Sequence, residues 1–200
     1  MKNATDSTVM DSPEYRRFIE ALKTRVISSR ISAARAVNRD LILLYWDIGR
    51  GILEKQQVLS WGESVVEMVS ADLRRAFPGM TGFSPRNLRD TKRFYLAYAD
   101  EAIWRQAVAK LEPGAAPAEF LRQLVAEIPW GHNLLILNKL TEPTARLYYL
   151  RATARFGWTR NVLLNQIKAR AYERAMTEKK TYNFPLALPE HLAEQAAIMI

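Results

Sequence analysis

The sequence contains no cysteine, which excludes disulfide bonds and cysteine-ligated zinc sites. It has two histidines, His132 and His191, and neither is accompanied by a second ligand at metal-binding spacing. No apolar run approaches 18 residues, and the opening "MKNATDSTVMDS" lacks the apolar centre of a signal peptide. We therefore expect no metal and no membrane partner, and a reducing cytoplasm fits the missing cysteines.

Catalytic signatures are also missing. The sequence has no P-loop, no GxSxG and no GxGxxG. Its carboxylates are scattered and usually accompanied by arginine or lysine; Asp47 and Glu54 are a weak candidate pair for a metal. The sequence therefore predicts no catalytic residue, no cofactor and no enzyme activity for this chain.

Positive charge is what the sequence has in surplus. Its 29 lysines and arginines exceed its 21 aspartates and glutamates by eight. The second half is the most basic part, since residues 129–183 hold ten basic and three acidic side chains. Such a surplus favours an acidic partner, either nucleic acid or an anionic membrane surface.

Apolar residues recur at steps of three and four, and no segment alternates with period two, so we expect an all-α, multi-helix domain with long N-terminal helices. Ser12-Pro13 is typical of a helix start. The first apolar stripe consists of Tyr15, Phe18, Ile19, Leu22, Val26 and Ile27. Whether residues 13–56 form one helix or two helices with a bend near Ser28–Ser32 stays open at this point.

The domain organisation follows from composition. Residues 1–12 are polar and are predicted to be a disordered tail, and residues 13–183 are predicted to be the helical domain. The Pro/Gly/Ala-rich stretch at 110–118 is the best candidate for an internal break. Residues 184–200 are interpreted as a linker.

Two parts of the chain echo each other. "WGESVVEM" matches "WGHNLLIL", and "GFSPRNL" matches "GWTRNVL" if one gap is allowed. Each part has the order of a helix-turn-helix, with a supporting helix, a turn and a capped helix that carries basic and amide side chains. The connection "PGMTGFS" is longer than the usual turn, and the second part inserts a whole helix. We therefore predict two units that are only helix-turn-helix-like.

The first capped helix, predicted at 84–99, begins with Ser84 as N-cap and Pro85 at the first helical position. Arg86, Arg89 and Arg93 fall within about 60° of one another around its axis. The predicted nucleic-acid-binding residues of this helix are Arg86, Arg89, Lys92 and Arg93. A solvated surface without a ligand is the alternative interpretation.

The second capped helix is predicted at 159–175. Its candidate residues are Arg160, Asn161, Asn165 and Lys168. Asparagine can pair with adenine and arginine with guanine, whereas lysine mainly neutralises phosphate. A further basic row fits phosphate contacts and helix–helix ion pairs equally well; it consists of Arg146, Arg151 and Arg155. The positions of the tryptophans favour packing in the core over stacking on bases.

Several blocks together resemble the N-terminal domain of the bacterial YhcG-like family. They are "LYWDIGRGILEKQ", "WGESVVEMVSADL", "GFSPRNLRDTKRFY", "IPWGHNLLILNKL", "RLYYLRAT" and "GWTRNVLLNQIKARAYER". The resemblance covers about residues 13–183. It implies a DNA-binding portion that is joined to a C-terminal PD-(D/E)xK nuclease-like domain.

The chain departs from the family pattern at its end. It stops at "NFPLALPEHLAEQAAIMI", and it contains no Asp followed by Glu-x-Lys on a strand pair, so no catalytic residue carries over. The apolar "AAIMI" favours a truncated chain or an isolated domain, whose partner would be the missing nuclease-like domain.

Three hypotheses follow. The first is a non-catalytic domain that targets a nuclease to duplex DNA through the two capped helices, which requires both helix starts to face outward on a shared cationic surface. The second is a module for homo-oligomerisation or protein docking through the apolar stripes at 13–56. The third differs from the first only in having RNA as its ligand.

Overall fold

Helices supply all of the regular secondary structure in the part of the chain that the structure describes. The computed structural model describes the backbone of residues 12–60, 62, 64–111 and 117–177, and the side chains of these residues except 109–111, 117 and 118. Residues 1–11 of the predicted tail, the linker at 184–200 and most of the internal break lie outside the described residues, as does Trp61. The all-α prediction is confirmed.

The described residues form nine helices. They are α1 Pro13–Leu59, α2 Val65–Ala76, α3 Pro85–Ala99, α4 Glu101–Leu111, α5 Pro117–Ala126, α6 Trp130–Lys139, α7 Pro143–Phe156, α8 Arg160–Lys168 and α9 Ala171–Thr177. None of these helices is both long and apolar enough to cross a membrane.

The N-terminal stripe lies on one continuous helix, because α1 runs for 47 residues without a break. The chain divides after Val37 into two compact units, and the second unit contains the rest of α1 and all later helices. In the first unit Phe18, Leu22 and Val26 are 58%, 39% and 57% exposed. This apolar stripe is therefore not part of a core in the described chain.

The second unit has a large aromatic core. Trp46 of α1 packs edge-on against Phe94 of α3, with ring centroids 5.8 Å apart. Trp104 of α4 is fully buried, stacks on Tyr98 and donates its indole N–H to the Ala97 carbonyl at 2.9 Å. A smaller apolar cluster joins α1, α2 and α3 through Ile52, Val66, Phe83 and Leu88.

Gly49 allows α1 and α3 to approach closely. A Cβ atom at this position would lie 2.2 Å from the Thr91 carbonyl oxygen, a distance that real side chains do not tolerate. Gly51, two residues later on the same helix, has no neighbour within 4 Å of such an atom. The two glycines therefore differ: Gly49 permits the close approach of α3, whereas Gly51 has open space beside it. In the sequence both glycines look alike, as residues that weaken the end of a helix.

The predicted helix at 159–175 is wrong in its continuity, because the chain breaks between α8 and α9. Arg170 has a positive φ of 52°, in the left-handed region. The buried Tyr149 hydroxyl donates to the Gln166 carbonyl and accepts from the Tyr172 amide, both at 3.2 Å. In a continuous helix those two backbone groups would pair with Arg170 and Lys168. A tertiary contact therefore replaces the helical pattern here.

Substitution of the two glycines should have opposite effects on stability. Gly49→Ala should destabilise the protein by about 1–3 kcal/mol, because the new methyl group forces α1 away from the α3 backbone. Gly51→Ala is the matched control and should stabilise by up to about 1 kcal/mol, since alanine favours the helix and has free space. Urea unfolding followed by circular dichroism measures both. Equal effects of the two substitutions would contradict the close approach.

Candidate nucleic-acid interface

The start of α3 is fixed by its own side chains. Ser84 is extended and its hydroxyl accepts from the Asn87 amide at 3.2 Å, and Pro85 takes the first helical position as predicted. Asn87 also donates its side-chain N–H to the Gly82 carbonyl at 2.6 Å. Gly82 has a φ of 98° and lies against the Tyr45 hydroxyl, so no other residue fits there.

The start of α6 is joined to the start of α3. The Trp130 indole N–H donates to the Asn87 side-chain oxygen at 2.8 Å. The same indole packs against Tyr45 and Phe94, with ring centroids 4.8 and 5.1 Å away. Asn87 therefore has an internal role that links two helix starts, which the sequence pattern did not indicate.

The start of α8 is joined to α6 in turn. The Thr159 hydroxyl caps α8 by accepting from the Val162 amide at 3.3 Å, and the buried His132 ring of α6 donates Nε2–H to the Trp158 carbonyl at 2.9 Å. Burial lowers the pKa of His132; the hydrogen bond to Trp158 opposes this, and the charge of Arg160 adds to it. The histidine is therefore held neutral as a connector between the two helices.

The starts of α3 and α8, together with one side of α6 from its first turn to its last, line one open groove of about 530 Å³. Its lining residues are Ser84, Arg86, Asn87, Asp90, Gly131, Leu134, Leu135, Asn138, Lys139 and Arg160. We call it the basic groove. A Cβ atom on Gly131 would lie 3.8 Å from Cδ of Arg160, so the arginine stem passes close to the backbone of α6.

Three cations of the basic groove come from three different helices: Arg86 from α3, Lys139 from α6 and Arg160 from α8. All three residues are exposed. Among the described residues none of the three forms an ion pair. Lys139 was not among the sequence candidates; its position in the last turn of the helix that opens with "WGHN" was the available signal.

The other candidates of α3 are engaged with neighbours. Arg89 pairs with Glu67 of α2. Arg93 pairs with Asp90 at 2.9 Å and donates to the side-chain oxygen of Asn138 at 3.1 Å. Lys92 donates to the side-chain oxygen of Gln56 at 2.8 Å. The arginine face of α3 is therefore divided, with Arg86 in the basic groove and the two later arginines in ion pairs.

The remaining candidates of α8 lie outside the basic groove. Asn161, Asn165 and Lys168 are exposed on α8 and do not line it. Of the eight sequence candidates, Arg86 and Arg160 are the two that the structure brings together.

The chemistry of the basic groove suits an anion. Unpaired amides in the first turn of a helix attract negative charge, and arginine donors match phosphate oxygens. The one carboxylate in the lining, Asp90, is compensated by Arg93. Within the described segments no three histidine, aspartate or glutamate side chains are grouped so that they could hold a metal ion.

Comparison with known proteins identifies a family for this fold. The model of the DUF1016 N-terminal domain matches residues 21–174. The chain is 28% identical over 178 residues to "Putative nuclease YhcG" from Escherichia coli strain K12, a match that covers 81% of this chain and 47% of that protein. The chain thus spans about half the length of this curated relative, and no solved structure matches it. It belongs to the DUF1016 N-terminal domain family.

Proposed function

We propose that this domain binds duplex DNA through the basic groove and so directs a nuclease to its substrate. One observation carries the proposal: Arg86, Lys139 and Arg160 reach the same groove from three helices and are not used in ion pairs among the described residues. Three solvated cations in one groove repel one another, and a bound phosphate would relieve that repulsion.

Phosphate contact is the core of the proposal. Each of the three cations donates hydrogen bonds that fit phosphate oxygens, and the capped starts of α3 and α8 add backbone donors beside them. Such contacts fix a protein on DNA without reading its sequence. Base recognition would fall to Asn161 and Asn165, which are exposed on α8 close to Arg160 in the chain.

The proposed role in directing a nuclease rests on the similarity to the Escherichia coli protein. The name of the Escherichia coli protein describes a nuclease, and the present chain matches under half of its length. On the strength of that name and that length, we assign this domain the task of holding DNA and place cleavage in a nuclease-like domain of the whole protein.

Charge removal in the basic groove should weaken DNA binding. For Arg86→Ala combined with Arg160→Ala we expect lower affinity, and the slope of log K against log salt should fall by about 1.8, because each phosphate contact contributes about 0.9. Fluorescence anisotropy with a labelled duplex between 50 and 200 mM salt measures both quantities.

The control variant for this experiment has the same net charge as the groove variant. Arg105→Ala combined with Arg122→Ala also removes two charges, but both arginines lie outside the basic groove beside Glu101 and Asp47. If the control pair weakens binding as much as the groove pair, or if the protein does not bind duplex at 50 mM salt, the proposal is wrong. Competition with structured RNA of equal length shows which nucleic acid is preferred.

A second candidate function is self-association through the N-terminal part of α1. The observation that favours it is the exposure of Phe18, Leu22 and Val26 on one side of the helix. Exposed apolar stripes of this kind are typical of helices that pair with another helix. Both functions are compatible, since pairing of two copies would bring two DNA-binding surfaces together.

Charges placed in the stripe should prevent self-association. We expect the unmodified protein to form dimers as its concentration rises, and Leu22→Glu combined with Val26→Glu to stay monomeric, because the pairing surface would then bury four like charges. Thr24→Glu is the control, since Thr24 is exposed on the opposite side of α1. Light scattering coupled to gel filtration measures the mass; a monomer at every concentration would contradict this function.

A further inference from the structure

A second groove borders the basic groove. It has a volume of about 640 Å³ and lies at the turn between α2 and α3. Its lining residues are Ala71, Arg74, Arg75, Phe77, Pro78, Met80, Thr81, Gly82, Phe83 and Ser84. Ser84 lines both grooves, so the turn and the cations of the basic groove share one border.

The turn has a rigid base. The buried Ser70 hydroxyl of α2 donates to the Phe83 carbonyl at 2.6 Å, and the Asn87 side-chain N–H donates to the neighbouring Gly82 carbonyl at 2.6 Å. The Phe83 ring is buried in the small core beside Leu88. A segment held in this way loses little conformational entropy when it meets a ligand.

The tip of the same turn is apolar and exposed. The Met80 amide donates to the Phe77 carbonyl at 3.0 Å, which closes a tight turn around Pro78 and Gly79. Met80 is 50% exposed and Phe77 is 47% exposed. The Phe77 ring lies against the buried Phe83 ring, with centroids 6.2 Å apart, so it is anchored on one side. Met80 has no such ring contact, and half of its surface is open to water.

Positive charge lies beside the apolar tip. Arg74 and Arg75 end α2 and line the groove together with Met80 and Phe77. Arg75 pairs with Asp72 at 3.0 Å, and Arg74 makes no ion pair among the described residues. An apolar tip that shares a groove with cations suits a ligand that has a polyanionic backbone and flat apolar faces.

We propose that Met80, exposed at the tip of this turn, is a wedge that enters a base step of the duplex whose phosphates lie in the basic groove. This inference rests on the proposed function and adds distortion of the DNA to it. Apolar side chains that enter base steps unstack them and kink the duplex, and methionine is one of the residues used for this. An acidic apolar peptide would suit the same chemistry; the border shared at Ser84 favours DNA.

The experiment separates distortion from binding. A duplex with 2-aminopurine at its centre reports unstacking by increased fluorescence, and it is measured at saturating protein and low salt. We expect the unmodified protein to raise the fluorescence and to prefer a centrally mismatched duplex by about tenfold, since unstacking costs less at a mismatch. Met80→Gln should lose both effects, whereas Met80→Leu should retain them.

The control is Met68→Gln, which changes a methionine of α2 that is 66% exposed and lies outside both grooves. It should behave like the unmodified protein. If the duplex binds without any rise in fluorescence, or if Met80→Gln and Met68→Gln behave alike, the wedge is wrong while DNA binding stands, and the turn then fits an acidic peptide. If no duplex binds at low salt, both proposals are wrong.

Discussion

Two side-chain hydrogen bonds tie the starts of three helices together. Asn87 of α3 accepts from Trp130 of α6, and His132 of α6 donates to the Trp158 carbonyl just before α8. The connector residues are partly or fully buried, so these bonds are shielded from competing water. Because the starts are joined, the cations that follow them, Arg86 and Arg160, reach one groove instead of two separate surfaces.

The basic groove holds three cations that no ion pair balances among the described residues. The domain core is aromatic and aliphatic, and the nearby ion pairs of Arg89 with Glu67 and of Arg93 with Asp90 balance their own charges. The cations of the basic groove take part in none of these ion pairs and are exposed; they are Arg86, Lys139 and Arg160. Three like charges that line one groove without ion pairs are the feature on which the proposed binding of an anion rests.

Local sequence predicts those parts of the structure that depend on local physics. The Ser84-Pro85 start of α3 and the buried face of that helix follow from capping and from helical spacing. The start of α4 was missed, although Asp100 caps it by accepting from the Ala102 amide at 2.9 Å. Such a cap could have been recognised from the Asp-Glu pair that opens the helix.

The unpredicted parts depend on distant residues. Arg86 and Arg89 lie on one face of α3 and look equivalent in the sequence, but Arg89 meets a glutamate 22 residues earlier on α2. The break after Lys168 depends on the hydroxyl of Tyr149, which belongs to a different helix. Helical spacing contains no information on either contact, so only the folded chain separates the groove cations from the structural ones.

The most direct test of the account is an NMR titration of the ¹⁵N-labelled protein with a short duplex at low salt. The joined helix starts predict that amides in the first turns of α3, α6 and α8 shift together along one binding curve. Shifts restricted to one of these helices, or spread over surfaces outside the two grooves, would contradict the claim that the three starts act as a single site.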